Sequence, residues 1–318
     1  MTLNFTMPTL KEIQEAHNRI SPFIHRTPVL TNRSLNELSG AELYFKCDNF
    51  QKAGSFKIRG ATNTVLQLTQ DELGRGVATS SSGNHGAALS MAVTNRGGKT
   101  KVVMPNNTSK IKVNNVERNG GEIVWCKPEQ ASRDTVLKAL LDKTGAVLVH
   151  PYNDERIVTG QGTAAKELLE DYPELDMIVS PVSGGGLLGG TLCSAKEMNP
   201  DIKVYGAEPA EADDAYRSLQ SGKIESNVTI NTICDGLRAQ IGTVTFPIIK
   251  KKVDGIITVT EVDIIDSMRI IWERMKIIVE PSSSITLAAV LNDKEVFTGK
   301  KVGLILSGGN VDLDHLPW

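Results

Sequence analysis

The chain is poor in cysteine and in net charge, and each shortage removes a class of function. Its four cysteines, Cys47, Cys126, Cys193 and Cys234, lie far apart in 318 residues. They form no Cys-x-x-Cys pair and have no histidine at zinc-ligand spacing, which excludes a zinc ribbon and a dithiol redox centre and leaves free, mostly buried thiols. A net charge of −2 provides no basic field for nucleic acid or an anionic membrane. No apolar run approaches the length of a membrane span, and the first residues lack a basic segment followed by an apolar one. A cytoplasmic protein acting on a small molecule is the expectation.

What is present is alternation. Short apolar runs at 77–80, 101–104 and 122–125 each precede a helical pattern, starting near His85, Ser109 and Arg133. A second set of apolar runs occupies 177–182, 204–208 and 302–306, with helices expected over 187–198, 262–275 and 282–291 and a break at Glu280-Pro281. Strand–helix alternation with short loops predicts an α/β protein with parallel sheets, because parallel strands need helical crossovers. Boundary loops are expected over 68–76 and 150–155. They delimit a large domain, 1–75 with 151–318, and a smaller one, 76–150, inserted within it.

Three stretches carry chemistry. Lys57 lies between glycines in Gly54-Ser55-Phe56-Lys57-Ile58-Arg59-Gly60, at an expected loop-to-helix junction, where a desolvated amine is suited to forming an imine. Ser80-Ser81-Ser82-Gly83-Asn84-His85-Gly86 follows a strand and opens a helix, so hydroxyls, amide and N–H groups can converge on an anion. A helix-capping cluster is the simpler alternative, but it accounts for one serine and one glycine rather than for the whole set. Ser183-Gly184-Gly185-Gly186-Leu187 likewise joins a strand to a helix, and glycines let a phosphate approach the main chain. This run is neither a Gly-x-Gly-x-x-Gly motif nor a Walker loop, since no Lys-Ser/Thr follows, and nucleotide triphosphate hydrolysis is disfavoured.

These motifs, with Leu306-Ser307-Gly308-Gly309-Asn310-Val311-Asp312, occur in an order that resembles the serine racemases and serine/threonine dehydratases, a family of fold-type II pyridoxal-phosphate enzymes. The resemblance spans nearly the whole chain and implies two open twisted sheets flanked by helices. It implies that Lys57 binds pyridoxal phosphate as a Schiff base and then serves as the base on one face of the substrate Cα. Phe56 would pack near the cofactor ring and Asn84 would hydrogen-bond its 3′ oxygen. The backbone of Ser183, Gly184, Gly185, Gly186 and Leu187 would hold the phosphate, and Ser307 would face the pyridine nitrogen. A neutral serine at that nitrogen moderates the electron sink.

By the same resemblance, Ser81, Ser82, Asn84 and His85 line the substrate carboxylate site, and Arg133 reaches the carboxylate or a β-substituent. Ser82 would be the second acid/base, opposite Lys57. A serine there favours racemisation of serine with accompanying elimination to pyruvate and ammonia; the alternative is a dehydratase of L-threonine, L-serine or threo-3-hydroxyaspartate. The acidic turn Glu208-Pro209-Ala210-Glu211-Ala212-Asp213-Asp214 is, on its own, most simply a solvated surface turn. The resemblance makes Glu208, the Ala212 carbonyl and Asp214 ligands of Mg²⁺, Ca²⁺ or Mn²⁺. It also implies a homodimer. ATP as an effector is put in doubt, since Ala87 and Asn119 stand where glutamine and tyrosine are expected in nucleotide-activated members.

Overall fold

The computed structural model describes residues 6–81 and 83–318. Strands in chain order are β1 (Val29–Leu30), β2 (Glu42–Cys47), β3 (Val77–Ser80), β4 (Thr100–Pro105), β5 (Gly121–Cys126), β6 (Val147–Leu148), β7 (Met177–Pro181), β8 (Lys203–Pro209), β9 (Gly255–Val259) and β10 (Lys301–Leu306). They make a six-stranded sheet, β1-β2-β10-β7-β8-β9, and a four-stranded sheet, β5-β4-β3-β6. Every pairing is parallel except β1 with β2. The expected α/β architecture with two mainly parallel sheets is therefore the observed one. All four strands of the smaller sheet fall between residues 77 and 148.

The expected helices appear to within a residue as Gly186–Met198, Glu261–Met275 and Pro281–Asn292. One expectation needs correction. Residues 68–76, anticipated as a boundary loop, hold the helix Gln70–Arg75, because Thr69 accepts from the Glu72 N–H while the Glu72 carboxylate accepts from the Thr69 N–H. At the other boundary the chain is irregular up to Asp154, which caps the helix Glu155–Asp171.

Helix Pro281–Asn292 is buried on nearly every face, its serines and threonine included, and packs among Leu43, Phe45, Val179 and Leu304 of the larger sheet. On the other side of that sheet, three helices meet at glycines. A Cβ on Gly160 would lie 2.6 Å from the Gly60 Cα, and one on Gly190 would lie 2.5 Å from the Gly162 N. The close approach locks helix Lys57–Leu66 to Glu155–Asp171, and the latter to Gly186–Met198. Thus the helix begun by Lys57 and the helix begun by the glycine run belong to one packed unit.

Candidate active site

A cavity of about 840 Å³ opens where parallel strands of both sheets end. Ser81 follows β3, Ser183 follows the end of β7, and Ser307 follows β10 directly. The carboxyl ends of strands in open α/β sheets are where ligand sites form, because loops there diverge and helices point their N-termini inward. Phe56, Lys57, Ser81, Asn84, His85 and Arg133 all line this cavity, as do Ser183 to Leu187 and Ser307. Ser82 lies outside the described residues.

Lys57 is the first residue of its helix, and the peptide before it is tied down where the Phe56 N–H donates to the Ser307 carbonyl at 2.9 Å. Its Nζ donates to the Pro151 carbonyl at 3.0 Å and lies 5.0 Å from the centre of the Phe56 ring. Burial pushes the Lys57 amine down to about 8, against the pull of the Glu280 charge. Burial and the Lys57 charge push His85 down to about 3 and His150 down to about 4, so both rings are neutral near pH 7. His85 Nε2 lies 3.3 Å from the Val149 carbonyl, and His150 Nδ1 accepts from the Asn153 N–H at 2.9 Å. Both imidazoles are thereby held by the main chain.

The glycine run has its carbonyl side anchored away from the cavity. The Gly184 carbonyl accepts from Thr245 Oγ1 at 2.6 Å and from the Gly242 N–H at 3.2 Å. The Ser183 hydroxyl donates to the Ala239 carbonyl and accepts from the Ala239 N–H. Gly185 takes φ +87°, and no side chain among the described residues caps the helix that follows. The first N–H groups of this helix are therefore left for an anion. A side chain at Gly184 would overlap the ring of Tyr152, which stands edge-on to His150 at 4.5 Å between ring centres. Tyr152 was missed by sequence reasoning, and nothing in its local pattern signals it.

Glu280 was also missed as chemistry, having been read only as the residue before a helix-opening proline. It is 4% exposed and lines the cavity. Its Oε1 accepts from Asn84 Nδ2 at 2.8 Å and its Oε2 from the Asn310 N–H at 3.2 Å. Burial and the charge of Asp235 raise its carboxyl to about 8, while the Asn84 and Asn310 donors oppose that. Asp235 itself pairs with Lys112, which joins the helix Lys110–Arg118 of the smaller sheet to the loop before the larger one's last helices. Arg133, on helix Gln130–Thr144, lines the cavity with its Nε buried and unpartnered among the described residues.

The acidic turn sits apart from the cavity, at the end of β8. Glu208 is fully buried and accepts from the Ala215 and Tyr216 N–H groups at 3.0 and 2.8 Å. Asp214 Oδ2 accepts from the Ile241 N–H at 2.7 Å, and its Oδ1 is buried without a partner among the described residues. Burial raises Asp214 to about 6, and burial with the nearby Asp214 charge raises Glu208 well above the usual carboxylate range. Ala212 is buried in the intervening 3-10 turn. Among the described residues no three His, Cys, Asp or Glu side chains gather as metal ligands; this turn offers two carboxyls and main-chain carbonyls.

Comparisons with known proteins agree with one another. A serine racemase of Dictyostelium discoideum is 51% identical over 97% of this chain and 96% of its own length. A beta-hydroxyaspartate dehydratase of Paracoccus denitrificans is 46% identical over 98% of this chain and 99% of its own. The solved structure of maize serine racemase superposes with a TM-score of 0.95 at 44% identity, covering 97% of this chain and 95% of that one. The profile described as "Pyridoxal-phosphate dependent enzyme" matches residues 20–308, and the chain belongs to that family.

Proposed function

We propose that this enzyme interconverts L- and D-serine and also eliminates water from serine to give pyruvate and ammonia. The observation that carries the proposal is Lys57, a half-buried lysine with a desolvated amine at a helix start, sharing one cavity with an uncapped helix N-terminus at Gly186. The residues present fit pyridoxal phosphate: an amine held near 8 for the aldehyde, open N–H groups for the phosphate, and an amide at Asn84 for the ring oxygen. When bound, the cofactor supplies an electron sink that acidifies the Cα–H of an attached amino acid. Lys57 Nζ takes and returns the Cα proton on one face, since a base near 8 holds useful fractions of both protonation states at neutral pH. Ser82 serves the opposite face, a role supported by the resemblance. Phe56 and Tyr152 shield the reacting face from water, Ser307 offers the pyridine nitrogen a neutral partner, and Ser81, His85 and Arg133 receive the substrate's anionic groups.

The relatives support racemisation, and the dehydratase among them keeps elimination of a β-hydroxy amino acid as the second reading. Purified enzyme given L-serine, L-threonine and threo-3-hydroxyaspartate separates the two: D-serine formation comparable with keto-acid release is expected. Keto acid from all three without D-serine would assign the chain to the dehydratases. Ser82→Ala should abolish racemisation and keep much of the L-serine elimination, whereas equal loss of both would remove Ser82 from the role of second base. Lys57→Ala should leave the cofactor unfixed by borohydride.

The reading extends to the other expectations. Residues 1–75 with 151–318 act as one domain and 76–150 as a smaller inserted one that moves to enclose substrate. Two adjacent buried carboxyls, one with a bare oxygen, suit a hard divalent ion held by Glu208, Asp214 and the Ala212 carbonyl. Nucleotide activation is not part of the proposal: Ala87 is buried, and the Asn119 amide is spent on Asn115. No helix of the described residues is long and apolar enough to cross a membrane. A cytoplasmic homodimer remains the expected form, with light scattering of the purified protein as its check.

A further inference from the structure

Asn84 is held on two sides by side chains remote in sequence. Its Nδ2 donates to Glu280 Oε1 at 2.8 Å, and its Oδ1 accepts from Asn310 Nδ2 at 2.9 Å. The Asn310 backbone N–H donates to the other Glu280 oxygen at 3.2 Å, and Asn310 Nδ2 also donates to the Ala53 carbonyl at 2.9 Å. Glycines clear the space: a Cβ on Gly308 would lie 2.6 Å from Glu280 Oε1, and one on Gly54 would collide with the Asn310 amide. Four chain segments thus meet in one network that holds the Asn84 carboxamide on both sides.

An amide has distinct ends, and this network permits one orientation. Turning the Asn84 amide over would set its NH₂ against the Asn310 NH₂, whose direction the Ala53 carbonyl fixes, and its oxygen against the Glu280 carboxylate once Glu280 is ionised, repulsive contacts in place of hydrogen bonds. In the permitted orientation the Asn84 oxygen is used, one N–H is used, and the second N–H is taken by no described residue. Asn84 lines the cavity, so that second N–H is the polar function it has left to offer there.

We propose that Glu280, assisted by Asn310, is a positioning residue that locks Asn84 as a hydrogen-bond donor, so that it meets the anionic ring oxygen of pyridoxal phosphate only through its NH₂ group. This rests on reading Asn84 as a cofactor contact. Glu280 belongs to the segment entering helix Pro281–Asn292 and Asn84 to the helix Asn84–Thr94, so the lock also joins the two sheets' loops across the cavity.

The test is titration of the apoprotein with pyridoxal phosphate, following affinity and the absorption band of the bound cofactor, alongside melting of the apoprotein. The titration is run above about pH 8, where Glu280 is ionised and both its oxygens accept, whereas a glutamine accepts at one end only. Glu280→Gln is therefore expected to bind the cofactor about tenfold more weakly, or about 1.4 kcal/mol, with a displaced band. The pair Glu280→Gln with Asn84→Asp restores a hydrogen bond of reversed polarity but gives the cofactor no donor. It should recover the melting temperature without recovering affinity or band, and recovery of all three would overturn the proposal by making Glu280 a mere tie. Asn310→Ala frees the Asn84 oxygen without touching Glu280 and should weaken binding several-fold; it decides the matter if Glu280→Gln does not fold. Asn84→Ala separates the two levels of inference. Unchanged cofactor affinity in Asn84→Ala would remove the underlying contact. Weakening there with no change in Glu280→Gln and Asn310→Ala would remove only the positioning role.

Discussion

Replacing Arg59 by methionine tests what holds the Lys57 helix in place. Arg59 lies two residues after Lys57 and is fully buried, with Nε and Nη2 on Asp48 at 2.6 and 2.8 Å and Nη1 and Nη2 on Glu167 at 2.8 and 2.9 Å. Lys46, also fully buried, reaches Glu167 at 2.7 Å. Two cations therefore face two carboxylates, and methionine leaves one cation for both. Stripping one partner from such a buried set costs about 3–5 kcal/mol, because the remaining charge is left uncompensated. Unfolding entropy of about 2.1 cal/mol/K per residue over 318 residues converts that to a fall of roughly 4–7 °C in apoprotein melting temperature at pH 7, read by circular dichroism.

The pH dependence of the same variant has a definite sign. Burial pushes Glu167 up, but Arg59 and Lys46 overcome it and hold the carboxyl at about 2, below its ordinary 4.5. A carboxyl depressed on folding contributes stability that is complete above pH 4.5 and is lost as pH falls toward 2, here roughly 3 kcal/mol. Arg59→Met forfeits that contribution, so the gap between variant and parent should narrow as pH is lowered from 6 toward 3. Adding Glu167→Gln rebalances the charge and should make the double variant more stable than Arg59→Met. A single variant melting within about 1 °C of the parent at pH 7, or a gap constant with pH, would refute the reasoning.

Other perturbations probe the cavity and the acidic turn. Gly184→Ala places a methyl in the Tyr152 ring and should weaken cofactor binding more than tenfold in an equilibrium titration; parental affinity would show that the loop does not need the bare glycine. Recapture of pyridoxal phosphate by the apoprotein should accelerate as pH rises and level off above about 8, the Lys57 value. At pH 7 the free amine is then roughly 10% of Lys57, against roughly 0.03% for an unperturbed lysine, and a profile still rising at pH 10 would contradict the burial argument. Chelation should lower the melting temperature more at pH 8 than at pH 5. Asp214, raised to about 6, binds a proton in the metal-free fold that it loses as pH rises, and that contribution goes with it. Restoration by Mg²⁺ or Ca²⁺ is expected, and no effect of chelator at pH 8 would remove the metal from the turn.

The legible parts of this protein were those whose signal is local. The apolar runs of β3, β4, β7 and β10 and the glycine-to-helix junctions at Lys57 and Gly186 are marked by their own neighbours, so strand–helix alternation and the cofactor class could be read from them. Even the misread stretch 68–76 carried its helix signal, the Thr69–Glu72 capping pair, within four residues. Ser82, on which the reaction type was argued, was marked by its motif alone. β2 was silent because Lys46 lies within it, and a lysine gives no sign in sequence that Glu167 will bury it. Tyr152 acquires meaning only against Gly184, and Glu280 only against Asn84, 196 residues away.

Sequence alone therefore marked the groups proposed to carry the chemistry: a lysine, a glycine-rich loop and a serine-rich turn, each defined by its short-range pattern. Tertiary structure decided how those groups behave. Burial brings the Lys57 amine to about 8, and Glu280 fixes the direction in which Asn84 points. Desolvation and hydrogen-bond polarity depend on what surrounds a side chain, and the surrounding residues come from segments that only folding brings together.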